Sequence, residues 1–94
     1  MNRQHSDFVK AKVNATVYRE QDEDYGLDPV PISAGTTLHV AVEDEVQKLE
    51  GKRVRAAFFT IGTASGWYWM PRHEFDRVTE KFDVREQTGI PFER

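Results

Sequence analysis

Gly66 to Phe75 reads GWYWMPRHEF and holds both tryptophans of the chain, Trp67 and Trp69, with Pro71 just behind them. Residues of this kind do recognition chemistry: large, flat and partly polar side chains collect where proteins meet partners. Tyr18 and Tyr25 add two more rings, and an acidic stretch with Glu20, Asp22, Glu23, Asp24 and Asp28 runs among and after them. Carboxylates beside rings favour a cationic ligand. In an extended strand side chains alternate, so Trp67 and Trp69 take one side and Tyr68 and Met70 the other. One of those sides must be core.

Other chemistries find less support. Without cysteine there is no disulfide framework and no thiolate nucleophile or ligand. His5, His39 and His73 fall on an end, a strand and a turn with no H-x-x-x-H pair, and DEDYGLD lacks the oxygen spacing of an EF-hand loop. Ser33 and Ser65 are turn residues outside any G-x-S-x-G elbow, His73 and Glu74 are sequence neighbours whose side chains diverge, and Gly62 and Gly66 make no phosphate cradle. The expectation is a protein with no catalytic residues, no metal and no cofactor. A net charge of -3 opposes general binding to nucleic-acid backbones, and Lys52-Arg53-x-Arg55 is the only local basic cluster.

The elements that would position the rings are short strands. In VKAKVNATVY, Val9, Ala11, Val13, Ala15 and Val17 alternate with polar residues, which predicts one strand with a buried face and Tyr18 on the outer side. REQDEDYGLDPVP is a long acidic loop. A turn at Ala34-Gly35 leads to a second strand with Leu38, Val40 and Val42 on one face and Thr37, His39 and Ala41 on the other. EDEVQKLEGK is too short and too charged for a dependable helix and reads as a loop or an extended hairpin end. VRAAFFTI is a strand whose inward register the pattern does not fix, and Gly62 to Gly66 turn it back into the tryptophan strand. Pro71 ends that strand, and Arg72 to Phe75 is the length of one 3₁₀ turn before a last short strand, DRVTEKF. These features divide the chain into a polar arm (1–8), one all-β domain (9–82) and a polar tail (83–94). No apolar run approaches the ~20 residues that cross a bilayer, and the N-terminus lacks the apolar stretch of a signal peptide, so a cytoplasmic protein is expected.

Over roughly Lys12 to Thr79 the order of these features resembles a Src-homology-3 (SH3) barrel. A-T-V-Y (Ala15 to Tyr18) stands where that family has A-L-Y-D-Y. V-P-I-S-A-G-T-T-L-H-V is similar to its L-x-F-x-x-G-x-x-L-x-V pattern, and G-W-Y-W-M-P-R-H-E-F is similar to its glycine, aromatic, aliphatic, proline run. Glu74 stands where the family usually has a groove tyrosine, and the tryptophan pair that follows the second strand is absent. The resemblance implies a five-stranded small barrel with a 3₁₀ turn before its last strand, with Tyr68 and Met70 inward and Trp67 and Trp69 outward. It also implies a shared surface of Tyr18, Trp69 and Pro71, with Trp67 farther along the strand and Tyr25 leaning over from the acidic loop.

Such a shelf suits an extended basic or proline-containing peptide, with Asp24 and Asp28 selecting charge. The reading is a non-catalytic protein-binding module, a small bacterial or phage-type adaptor or inhibitor. The alternatives are self-association, a single-stranded nucleic-acid binder that stacks bases on the rings, and an oligomeric enzyme or enzyme subunit of the same barrel.

Overall fold

The computed structural model describes residues 3–22 and 25–82; Glu23, Asp24 and the 83–94 tail lie outside them. Among the described residues there are eight strands, β1 (His5–Ala11), β2 (Ala15–Arg19), β3 (Pro29–Ile32), β4 (Thr37–Ala41), β5 (Glu45–Leu49), β6 (Lys52–Ile61), β7 (Tyr68–Pro71) and β8 (Thr79–Lys81), and one helix, α1 (Arg72–Val78). They form one antiparallel sheet in the order β3-β2-β7-β6-β4-β1-β8, with β5 also paired to β6. The order begins at β3 and ends at β8, so the described strands do not close into a barrel. No helix among the described residues is long and apolar enough to cross a membrane.

Eight strands stand where five were expected, and each addition has a local cause. The run from Val9 to Tyr18 breaks at Lys12–Asn14 into β1 and β2. The break is pinned by Lys12 N–H donating to the Val78 carbonyl (2.8 Å) and Ala34 N–H donating to Asn14 Oδ1 (2.9 Å). Val13, expected inside, is therefore 49% exposed. β3 carries Pro29 and Pro31 yet pairs, because it is an edge strand with β2 as its one neighbour and need not donate on both sides.

The EDEVQKLEGK segment does form a hairpin. Glu50 and Gly51 both have positive φ (54° and 81°) between the paired Leu49 and Lys52, the backbone that a two-residue turn needs to match strand twist. The 3₁₀ turn after Pro71 is instead a seven-residue α-helix. Its last turn closes where Thr79 donates to the Phe75 carbonyl through both N–H and Oγ1 (2.7 Å for Oγ1), which shortens the expected final strand to β8.

The inner core is one cluster that includes Val9, Val17, Leu38 and Val40, as the period-two patterns predict, together with Phe59, Met70 and Phe75. Val42, placed in that row by its spacing, lies past the end of β4 and is 56% exposed. VRAAFFTI gave no inward register because both of its faces are covered. Ala57 and Phe59 enter the inner cluster, whereas Ala56 and Phe58 enter a second one on the far side of the sheet with Ala41 and Trp69.

Candidate functional site

The outer face of β6 and β7 is where Tyr18, Trp67 and Trp69 gather. Alternation along β7 sends Tyr68 and Met70 into the inner cluster and Trp69 to the opposite side. That side is not open. Trp69 is 3% exposed and Pro71 is buried, because Tyr18 from β2 and Leu49 and Val54 from the β5–β6 hairpin pack around the second cluster. Trp69 and Pro71 as freely displayed surface is thus corrected: the strand faces outward into a second small core. Tyr18 does meet Trp69, with ring centroids 4.8 Å apart.

The other sequence-selected residues are dispersed. Asp28 is taken up by Arg19, whose Nε donates to its carboxylate at 3.1 Å. Tyr25 is 75% exposed on the acidic loop, and no ring pairing among the described residues joins it to Tyr18 or Trp69. Asp24 lies outside the described residues. Between this loop and the β5–β6 turn opens a cleft of about 380 Å³, walled by Gln21 and Leu27 on one side and Gln47 and Lys48 on the other, with Arg19 and Trp69 also lining it.

Trp67 has a different set of neighbours, of which only Glu20, from the acidic stretch, is picked out in the sequence. Glu20 N–H donates to the Trp67 carbonyl (2.9 Å), which joins the two residues through their backbones. Arg3 lies across the same place. Its guanidinium carbon is 4.1 Å from the Phe58 ring centroid and 5.1 Å from that of Trp67. Its nitrogens donate to both oxygens of Glu20 (2.8 and 2.7 Å) and both oxygens of Glu45 (2.6 and 3.0 Å). These carboxylates, Glu20 first, raise the already high pKa of Arg3, and Arg3 in turn holds the Glu45 carboxyl below its ordinary value.

Next to Trp67 begins a column of rings. His5 stacks on Trp67 (4.9 Å) and on His39 (3.7 Å), and Phe8 stacks on the other side of His39 (4.0 Å). A register shift in β1 makes this geometry: His5 pairs with Ala41 but Phe8 with His39, so one extra residue lies between them. Without that bulge, residues three apart on a strand would point to opposite faces. The histidines expected to stand apart are therefore two in contact, with His5 Nε2 3.0 Å from Thr60 Oγ1. Burial, and then the neighbouring His5, lower the pKa of His39.

A further charged cluster fixes the helix. Between the Val40–Phe59 and Glu45–Ala56 pairs, the β4–β5 side has two residues more than β6, and Asp44 sits in that bulge. It accepts from Arg72 at the start of α1 (2.6 and 3.0 Å) and from Arg55 (2.7 Å), and Arg72 above all lowers its pKa. No spacing in the sequence announces either network, since each joins residues from separate elements. No protein-family model matches the chain, and comparison with curated proteins and with solved structures likewise finds no match.

Proposed function

We propose that the chain is a non-catalytic protein-binding module on an SH3-like frame, which docks an extended segment of another protein in the cleft between the acidic loop and the β5–β6 turn. The cleft carries the reading. Its loop wall offers Leu27 at 41% exposure, Trp69 lines it from the second core, and Tyr25, outside the lining, stands still more exposed two residues earlier on the same loop. An extended, proline-containing segment loses little entropy on docking against such a wall, and Arg19 and Lys48 with the one acid Glu50 make the charge of the cleft lining mixed. The SH3-like frame is supported by the sequence of parts: an acidic loop between paired strands, a long hairpin, and a short helix after Pro71 leading to a last short strand.

Capture of a partner from the native cell should fall at least tenfold with Leu27→Asp or Tyr25→Ala, while the thermal midpoint stays within about 2 °C, because both are exposed positions. Undiminished capture by both variants would refute the cleft. A base-stacking role is a weaker reading. The rings of the Phe8–His39–His5–Trp67 column are stacked on one another, which leaves few free faces for bases. Single-stranded oligonucleotide at low salt should accordingly show no binding.

A further inference from the structure

Arg3 is held the way a recognised ligand is held. Four hydrogen bonds run from the edges of its guanidinium to the two oxygens of Glu20 and the two of Glu45, and the Phe58 and Trp67 rings lie within cation–π distance. This geometry fits a planar fork and not an ammonium, whose three donors cannot engage two carboxylates side by side in the same plane. The four receiving residues come from four places: Glu20 follows β2, Glu45 opens β5, Phe58 is on β6 and Trp67 precedes β7. The box is therefore built by the sheet and not by the segment that carries Arg3. Two carboxylates face one cation, so negative charge remains with Arg3 in place. The backbone beside Arg3 is anchored separately, by Val42 N–H donating to the Gln4 carbonyl (2.8 Å) and by the pairing of His5 with Ala41. The side chain can leave without unzipping the strand.

We propose that Glu20, Glu45, Phe58 and Trp67 form a guanidinium-recognition site, that Arg3 fills it in cis, and that an arginine side chain of a partner peptide takes the place of Arg3. The site shares no residue with the cleft walls named above, so the inference does not rest on the cleft. Arg3 is a built-in competitor: the apparent affinity for an incoming arginine is reduced by the fraction of molecules in which the box is open.

The test uses N-acetyl-arginine methylamide as probe, titrated against the whole chain and followed by the indole N–H resonance of Trp67. Arg3→Ala and Arg3→Gln should bind it saturably, at least tenfold more tightly than the unaltered chain. Glu45→Gln added to either variant should weaken binding at least fivefold, and N-acetyl-lysine methylamide should bind at least fivefold more weakly than the arginine probe. If Arg3→Ala is unfolded at the assay temperature, saturable restoration of the fold by the arginine probe supports the site, and failure to restore it counts against the site. An unmoved Trp67 resonance in folded Arg3→Gln, equal affinity with and without Arg3, or indifference to Glu45→Gln would overturn the proposal.

Discussion

The two sides of β6 and β7 are both covered, but by different means. The inner side is sealed by carbon: Ala57, Phe59 and Met70 are fully buried within one cluster that reaches across the sheet to α1. The outer side has a smaller cluster, Ala41, Ala56, Phe58 and Trp69, and Arg3, held by two carboxylates, extends its cover over Phe58 and Trp67. A hydrocarbon seal is hard to open because it must be repacked, whereas a cover made of hydrogen bonds exchanges with any group offering the same pattern. The contrast separates a side closed by hydrocarbon alone from one whose hydrocarbon is finished by a charged cover.

The largest expected effect tests whether the outer cluster is core at all. Phe59→Ala and Trp69→Ala should each cost about 3–5 kcal/mol in chemical denaturation, since both side chains are buried. A Trp69→Ala chain as stable as the unaltered one would mean that the outer side is display and not core.

Smaller is the effect at Asp44, which ties the β4–β5 bulge to α1 through Arg72. Asp44→Asn should cost about 1–2 kcal/mol at neutral pH, the range for hydrogen bonds to charged groups reduced by the partial exposure of Arg72. Its pH dependence has a definite sign. Arg72 holds the folded carboxyl below its ordinary value, so its stabilisation is complete above the unfolded pKa of about 3.9 and is lost as pH falls through the folded value. Thermal melts across pH 2–5 should show this loss in the unaltered chain and less of it in Asp44→Asn.

Smallest is the effect of the ring column. His39 has a folded pKa below its unfolded value of about 6.5, so the unfolded chain takes the proton first and stability should decline as pH falls from there, levelling off below the folded pKa. His39→Phe keeps a ring in the column and should remove that decline. An unchanged pH profile would detach His39 from the stability of the outer face.

How much of this was legible in the sequence divides along the same line. The inner core is regular, so the alternation of Val9, Ala11 and Val17 and of Leu38 and Val40 exposed much of it, while for Tyr68 and Met70 alternation gave a shared side and the resemblance gave its direction. The outer face depends on breaks in regularity. The bulge between His5 and Phe8 turns both rings to His39, and the bulge at Asp44 brings a carboxylate to α1, yet neither changes the local composition. Arg3, Glu20, Glu45, Phe58 and Trp67 meet only because the sheet order brings their strands together, and no spacing encodes that. Trp69 showed its direction by period two, but not that the side it faces is covered, because the cover comes from Tyr18, Leu49 and Val54 elsewhere in the chain.

The charged cover over Phe58 and Trp67 is tested most directly by a double-mutant cycle on Arg3 and Glu45. Denaturation of Arg3→Ala, Glu45→Gln and the double variant at low and high salt should give a coupling energy of about 0.5–1 kcal/mol that shrinks as salt rises, the behaviour of a hydrogen-bonded ion pair near the surface. Single effects that add to within about 0.3 kcal/mol at both salt concentrations would contradict it, and the Arg3–Glu45 pair would then add nothing measurable to the hold on the outer face.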